Sequence, residues 1–194
     1  MMAKTMTNLN LQIHPLTAER WPDLERLFGP TGADGGCWCM YWRLPRSQFD
    51  TGRGDANRQA FKKIVESGVV VGLLAYTDGK PVGWLAVAPR DEYPTMDRSK
   101  VLKRVDRKKV WSISCFFTAK GYRRRGVTVA LIEAAKDFVR KQKGTVLEGY
   151  PIIPRSEKVS CGSAYTGLLS AYLKAGFKEV ARYSDSRPIM RFEL

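Results

Sequence analysis

The feature that most restricts the fold is a strand-like segment that leads, through a glycine-containing turn, into a long amphipathic helix pattern. The segment "VWSISCFFT" is rich in aromatic and β-branched residues, which favours a buried strand. After the turn "AKGYRRRGV", apolar residues recur at three- and four-residue steps, which predicts a helix that ends at Gly144. Its apolar face consists of Val127, Ala130, Leu131, Ala134, Phe138 and Val139. A strand followed at once by such a helix predicts an α/β sheet covered by helices.

The segments on either side of this unit predict a mixed sheet. In "GVVVGLLAYTDGKPVGWLAVAP", Asp78 and Gly79 join two β-branched runs, which indicates an antiparallel hairpin. Upstream we predict a strand over residues 9–14 and helices around residues 17–28 and 55–66. Downstream, "TVLEGYPI" predicts a strand, "SAYTGLLSAYLKAG" a helix, and "FKEVAR" and "RPIMRFEL" two closing strands. We therefore expect one α/β domain, with a mixed sheet of about six or seven strands and helices on both faces.

The chain is strongly basic, which narrows its partners to anions without naming one. Its 194 residues, with no visible linker or repeat, suit a single domain. Lys and Arg number 33 against 19 Asp and Glu, for a formal net charge of +14. Nucleic acid, an anionic membrane surface and a phosphate-bearing cofactor are all compatible with that charge. The opening residues lack a signal-peptide apolar region and no run suits a spanning helix, so we expect a soluble cytoplasmic protein without a membrane partner.

The cysteines suggest reduced thiols rather than a disulfide framework or a metal centre. Cys37 and Cys39 are one residue apart, and the chain has a single histidine, so the ligands for a zinc site are missing. We expect no metal. Cys115 and Cys161 are expected to be small buried side chains rather than nucleophiles, since no histidine is available to pair with them. The only histidine, His14, is expected to be structural.

The turn "AKGYRRRGV" has the features of an anion site. It joins the end of a predicted strand to the start of a predicted helix, where several backbone N–H groups lack a partner within the helix. The helix dipole favours negative charge at that end, and Gly126 lets the backbone approach an anion closely. An isolated arginine triplet can also be a solvated charge run, so the position between strand and helix carries the functional interpretation.

This turn resembles the acetyl-CoA-binding motif of the GNAT superfamily of N-acetyltransferases, Arg/Gln-x-x-Gly-x-Gly/Ala. Arg123, Gly126 and Thr128 occupy its three fixed positions, and Thr128 departs from the usual glycine or alanine. Arg124 stands where family members often carry glycine, which makes this loop bulkier and more cationic.

A second motif follows about 45 residues later, where "AYLKAGF" resembles the family segment Tyr-x-x-x-Gly-Phe. Tyr172, Gly176 and Phe177 match it. The resemblance covers the chain from about Val69 onward and implies one GNAT-like domain over residues 1–194. Within it, residues 1–68 would shape the acceptor side, and residues 69–194 would form the hairpin, the acetyl-CoA-binding core and the C-terminal strands.

The resemblance implies acetyl-CoA as cosubstrate and assigns residues to it. The strand backbone would hold the pantetheine arm, and the turn would hold the pyrophosphate. The expected cofactor-binding residues are Phe116, Phe117, Thr118, Arg123, Arg124, Arg125, Gly126, Val127 and Thr128.

Acetyl transfer to an amine also needs a proton for the leaving thiolate and a way to deprotonate the amine. Tyr172 is expected to be the acid, since a phenol stays protonated at neutral pH. Glu148, at the end of a predicted strand, is the expected base. Asp91, Glu92 or an ordered water could take that role instead.

The aromatic segment "CWCMYWR" is predicted to border the acceptor. Trp38, Tyr41 and Trp42 could be core residues, or could form a cation–π or stacking wall for an amine. A charge of +14 should repel polycationic peptides, which favours a small amine acceptor. A monomer or a homodimer is expected. The alternative function is a basic α/β module that binds nucleic-acid phosphates without catalysis, which rests on charge alone because no specific nucleic-acid-binding motif is present.

Overall fold

A seven-stranded mixed sheet forms the centre of the protein. The computed structural model describes residues 9–154, 162 and 164–194. The sheet order is β1-β2-β3-β4-β5-β7-β6, with β4 and β5 parallel and the other neighbours antiparallel. The strands are β1 (Gln12–Pro15), β2 (Gly72–Thr77), β3 (Lys80–Pro89), β4 (Trp111–Thr118), β5 (Val146–Gly149), β6 (Lys178–Arg182) and β7 (Pro188–Glu193). The predicted α/β class and mixed sheet are confirmed.

Helices cover both faces of this sheet, as predicted. They are α1 (Trp21–Phe28), α2 (Arg46–Thr51), α3 (Asp55–Glu66), α4 (Val127–Lys141) and α5 (Leu169–Lys174). Because side chains alternate along a strand, β3 contributes to two cores. Leu85 packs in one core with Leu131 of α4, and Trp84 packs in the other with Leu24 of α1. Among the described residues, no helix is both long and apolar enough to cross a bilayer.

The hairpin between β2 and β3 forms at the dipeptide that predicted it. Asp78 and Gly79 have φ angles of +50° and +70°. Positive φ at both central residues is the requirement of a type I′ turn, whose twist matches that of the flanking strands. The turn fixes the pairing that places β3 beside β4.

Two predicted helix boundaries differ in the structure. At the end of α4 the left-handed residue is Lys143, with φ +59°, whereas Gly144 has no positive φ. Gly144 is required for space, because a Cβ there would lie 2.4 Å from Val139 Cγ1. The last helix, α5, begins at Leu169 rather than near residue 163, because Gly167 has φ +89° and the preceding backbone bonds to other parts of the sheet.

Candidate active site

The site begins where β4 and β5 separate. These two strands pair only from Trp111 opposite Leu147 to Ile113 opposite Gly149. At the same level the pairing of β3 with β4 skips Ser114, which is therefore the extra residue of a β-bulge. Beyond the bulge, the β4 edge that faces β5 is not part of the ladder. A wedge-shaped gap opens there, between β4 and the chain that follows β5.

A short stretch of the chain itself lies in this gap. We call residues 164–168 the wedge segment. On one side, the Phe116 N–H of β4 donates to the Tyr165 carbonyl. On the other side, the Ile152 N–H donates to the Gly167 carbonyl at 2.9 Å, and the Leu169 N–H donates to the Ile152 carbonyl at 3.1 Å. The wedge segment therefore uses the backbone positions that an extended ligand between β4 and β5 would use.

Tyr172 of α5 lies beneath the wedge segment. Its side chain is fully buried, and its hydroxyl donates to the Thr166 carbonyl at 3.1 Å. The ring lies directly over Gly149, where an added Cβ would come within 2.0 Å of a ring carbon. Burial raises the pKa of Tyr172 well above its ordinary value, so the phenol is protonated at neutral pH. The structure thus places the expected acid at the apex of the gap, with its proton engaged by the wedge segment.

The arginine turn lies at the open end of β4. Arg123 Nε donates to the Thr118 carbonyl at 3.0 Å, which ties the turn to the end of the strand. Arg124 is exposed, with φ +58°, and the Arg125 guanidinium lies 5.6 Å from the centre of the Tyr122 ring. Gly126 caps α4 with φ +86°, and nothing lies within 4 Å of the position of a Cβ.

The first turn of α4 completes this end of the site. The first helical hydrogen bond runs from the Ala130 N–H to the Gly126 carbonyl. The earlier N–H groups, among them those of Val127 and Thr128, therefore have no acceptor within the helix. Thr128 is half-buried and Val127 is buried. This helix start is suited to an anion, because it combines open space, N–H groups without an acceptor in the helix, and an exposed arginine.

The expected strand residues alternate across the sheet. Phe116 packs edge-on against Tyr172, with ring centres 6.2 Å apart, and Phe117 packs against Phe28 of α1 on the opposite face. Their side chains are therefore core, and the backbone is what this part of β4 offers to a ligand. Thr118, half-buried, ends the strand at the arginine turn.

Glu148 is not placed as a free general base. It is 1% exposed at the centre of β5, and both carboxylate oxygens are engaged. One accepts from the Tyr150 hydroxyl at 2.6 Å, and the other accepts from Arg191 Nε at 2.7 Å. The same network includes Arg90 and Ser112, which bond to the Tyr150 hydroxyl at 2.6 and 2.8 Å. A carboxylate so occupied cannot accept a proton from an amine without first breaking an ion pair.

In the aromatic segment, Trp38 belongs to the core, whereas Tyr41 and Trp42 lie beside the gap. Trp38, 4% exposed, stacks on Trp21 and fills the core beneath α1, so the structure gives it a packing role rather than a place on an open wall. Tyr41 and Trp42 stand edge to face, with ring centres 4.6 Å apart. The Tyr41 ring also lies 6.4 Å from the Tyr165 ring of the wedge segment. These two aromatic residues therefore border the gap from the N-terminal half of the chain.

Three other carboxylates bear on the choice of the general base. Asp91 and Glu92, the alternatives for the base, pair with Arg104 at 2.6 Å and with Arg43 at 3.1 Å. Sequence reasoning missed Asp34, in the irregular turn before the aromatic segment, which forms no ion pair with any described residue. The pKa of the Cys115 thiol is raised by its hydrogen bond with Cys39, by burial and by nearby charges that include Asp34. Asp34 is therefore one of the charges that act on Cys115 of β4 in the folded chain.

The cysteine side chains are described only in part. Cys37, Cys39 and Cys115 are free and half-buried, and a raised pKa keeps Cys115 a thiol. Cys161 lies outside the described residues. Within residues 9–154, 162 and 164–194, no group of three or more His, Cys, Asp or Glu side chains could hold a metal ion.

Solved structures with the same architecture are acetyltransferases. The PaiA N-acetyltransferase of Thermoplasma acidophilum, crystallised with coenzyme A, is 16% identical over 96% of this chain and 100% of that chain, with a TM-score of 0.53. A GNAT-family acetyltransferase of Listeria monocytogenes is 12% identical over 95% of both chains, with a TM-score of 0.58. NAA60 of Arabidopsis thaliana, in complex with acetyl-CoA, is 16% identical over 95% and 100%, with a TM-score of 0.51. At these identities the likeness shows the fold.

The sequence itself identifies the family. No curated protein matches it. The model of the acetyltransferase (GNAT) family, however, matches residues 38–149. This match spans more than half of the chain and includes β4, the arginine turn, α4 and β5. The protein therefore belongs to the GNAT family of acetyltransferases.

Proposed function

We propose that this protein transfers an acetyl group from acetyl-CoA to the amine of a small molecule, by direct attack in a ternary complex. The observation that carries the proposal is the coincidence of two features at one end of β4. The arginine turn opens α4 with N–H groups that lie outside the helical hydrogen bonds, and the edge of β4 that does not pair with β5 leads from that turn to Tyr172. Together they form a continuous path for a long molecule with phosphates at one end and a reactive group at the other.

Each part of the path has a counterpart in the cosubstrate. The N–H groups at the start of α4, with Arg124 and Arg125, would hold the pyrophosphate. The β4 backbone from Phe116 to Thr118 would bond to the pantetheine amides as a neighbouring strand does. Acetyl-CoA supplies the activated acyl group, and this chain supplies the geometry and the proton.

Tyr172 is proposed as the proton donor. The amine nitrogen attacks the thioester carbonyl, the carbon–sulfur bond then breaks, and the Tyr172 hydroxyl protonates the departing sulfur. The proton released by the amine returns the tyrosine to its starting state through solvent. A raised phenol pKa is compatible with this step because the same burial would raise the pKa of a thiol in the gap.

Productive binding requires the wedge segment to move. In the structure its carbonyls accept from the Phe116 N–H, which would bind the cosubstrate, and from the Tyr172 hydroxyl, the proposed proton donor. Gly167, at φ +89°, provides a position where the backbone can change direction at low cost. We propose that the wedge segment withdraws from β4 as the pantetheine arm enters, which uncovers Tyr172 at the same time.

The acceptor is proposed to enter from the side built by residues 1–68. Tyr41 and Trp42 offer aromatic faces to an amine, and Asp34 supplies a carboxylate without an ion-pair partner among the described residues. Water or Asp34 would remove the amine proton, since Glu148 is fully engaged. The net charge of +14 supports a small acceptor over a polycationic peptide. Free thiols in the described part of the chain suit the reducing cytoplasm that we propose as its location.

The test joins binding to turnover. Calorimetric titration of the full chain with acetyl-CoA should give one saturable site, weakened in Arg124→Gln and unchanged in Lys63→Gln, a charge-matched control on α3. Thiol release should then be measured with a panel of small amines and with poly-lysine at low salt. Turnover of small amines that is lost in Tyr172→Phe supports the proposal. Efficient acetylation of poly-lysine, or transfer that is indifferent to Tyr172, contradicts it.

A further inference from the structure

A second basic feature lies at the opposite end of α4 from the arginine turn. A cleft of about 550 Å³ opens where β4 begins and α4 ends. Its lining includes Trp111, Gly144 and Thr145, one acidic residue, Asp91, and six basic residues. We call it the basic cleft, and its six basic residues are Arg90, Arg104, Arg107, Lys108, Lys109 and Lys143.

Half of these cations have no carboxylate partner among the residues that the structure describes. Arg104 pairs with Asp91 at 2.6 Å, and Lys108 pairs with Glu193 at 3.1 Å. The other exposed cations of the lining form no ion pair with any residue that the structure describes, and these are Arg107, Lys109 and Lys143. The concave wall therefore carries a local excess of positive charge, which an anion in the cleft would offset.

Arg90 is the one basic residue of the lining that is buried. Its side chain is almost fully buried, and its terminal nitrogens bond to Asp97 at 2.8 Å and to the Tyr150 hydroxyl at 2.6 Å. Its Nε, by contrast, is buried without a hydrogen-bond partner among the described residues. Arg90 therefore adds a buried positive charge behind the wall of the cleft, and its terminal nitrogens are held by bonds to neighbouring residues.

Lys143 occupies a backbone position that favours glycine. It follows α4 with φ +59°, and its N–H donates to the Arg140 carbonyl at 2.9 Å while the Gly144 N–H donates to the Val139 carbonyl at 2.9 Å. This is the pattern of a Schellman motif, whose left-handed residue is usually glycine. A residue with a Cβ is strained in this conformation. In this strained position Lys143 carries its ammonium group at the rim of the cleft, without an ion-pair partner among the described residues.

The basic cleft is separate from the acetyl-CoA path. Helix α4 has 15 residues, so its two ends are about 22 Å apart at 1.5 Å per residue. The arginine turn precedes its first residue, and Lys143 follows its last. From these observations we infer that the basic cleft is a second anion site, which binds phosphate groups other than those of the cosubstrate. Arginine forks and lysine ammonium groups together suit the oxygens of a phosphate, which carries more charge per group than a carboxylate.

The phosphate could come from a free polyphosphate or from a nucleic-acid strand, and the experiment distinguishes the two. The probes are inorganic tripolyphosphate and a 12-nucleotide single-stranded RNA, each titrated against the full chain at several salt concentrations. The cleft variant carries Arg107→Gln, Lys109→Gln and Lys143→Gly. The control variant removes three exposed cations outside the lining, through Lys63→Gln, Lys80→Gln and Lys141→Gln.

The cleft variant should bind tripolyphosphate at least about tenfold more weakly than the wild type, as expected for losing 1.4 kcal/mol or more. The control variant should bind tripolyphosphate as the wild type does, and the cleft variant should bind acetyl-CoA as the wild type does. If the strand is the source, the RNA affinity should also fall, and its log–log salt slope should decrease by about 2 for three lost contacts. Unchanged RNA binding assigns the site to free polyphosphate. Wild-type affinity for both probes in the cleft variant, or an equal loss in the control variant, would overturn the inference.

Lys143→Gly alone separates binding from folding. Relief of the left-handed strain should leave the melting temperature unchanged or raise it, while tripolyphosphate binding weakens. A fall in both would show that Lys143 acts on the fold rather than on an anion.

Discussion

Replacing Glu148 by glutamine should destabilise the protein more than it slows acetyl transfer. The carboxylate is 1% exposed, and its two oxygens accept from the Tyr150 hydroxyl and from Arg191 Nε. Glutamine has the same size and keeps one oxygen for Tyr150. Its amide nitrogen, however, would face Arg191 Nε, so two donors meet where a charged hydrogen bond stood.

The expected cost follows from what Arg191 retains. Breaking a buried ion pair by removing one partner costs about 3–5 kcal/mol. Arg191 keeps two hydrogen bonds to Asp106, at 2.6 and 3.1 Å, which places the loss near the lower end, about 3 kcal/mol. In a protein of this size, each kcal/mol shifts the melting temperature by about 2–4 °C, so Glu148→Gln should melt about 6–12 °C lower.

The assay is thermal unfolding of wild type and variant, with kcat measured well below both melting temperatures. Asp106→Asn is the matched control, because it removes the other carboxylate that binds Arg191, and the Asp106 side chain is 39% exposed. It should destabilise the protein less than Glu148→Gln does. Unchanged melting together with a fall in kcat of about 100-fold or more would refute the structural role and restore Glu148 as the base.

Three further predictions concern the proposed proton donor Tyr172, the pH dependence of stability at Asp106, and the roles of Trp38 and Trp42. Tyr172→Phe keeps the buried ring and should lower kcat by about 10²–10⁴ without weakening acetyl-CoA binding, since it removes only a hydrogen bond that holds the wedge segment; equal kcat would remove Tyr172 as the acid. The Arg191 guanidinium lowers the pKa of Asp106 to about 2, so its contribution to stability is complete above about pH 4 and is lost as the pH falls towards 2. Urea unfolding should therefore show the wild type and Asp106→Asn converging over that interval. Trp42→Ala should raise the acceptor KM, whereas Trp38→Ala should cost about 3–5 kcal/mol of stability; the opposite pattern would exchange their roles.

Much of the fold follows from short-range rules. The Asp78–Gly79 turn, the three- and four-residue spacing of α4 and the β-branched runs each predicted an element that the structure contains. The errors arose where tertiary contacts outweighed local pattern. Leu168 and the residues before it look helical in sequence, but their backbone instead bonds to β4 and to the chain after β5. The end of α4 was also misjudged, because space beside Val139 rather than backbone angle requires Gly144.

The parts of the site that depend on local sequence were predictable, and the parts that depend on tertiary contacts were not. The arginine turn is a local motif, and strand and helix propensities placed it correctly at the start of α4. Glu148, in contrast, was chosen for its place at a strand end, and its engagement by Arg191 depends on a pairing between β5 and β7 that no local pattern encodes. Asp34 was missed because its nearness to β4 arises only when the N-terminal turn folds back over the sheet.

In the position that the structure shows, the wedge segment would compete with acetyl-CoA for the backbone of β4. An N–H that already donates to the Tyr165 carbonyl must release it before it can bond to a ligand amide. The apparent dissociation constant of acetyl-CoA is then the intrinsic constant divided by the fraction of molecules in which the segment is withdrawn. On the proposed binding mode, affinity for the cosubstrate would depend partly on residues 164–168 and on the contacts of Gly167, and substitutions there would change binding without altering the arginine turn.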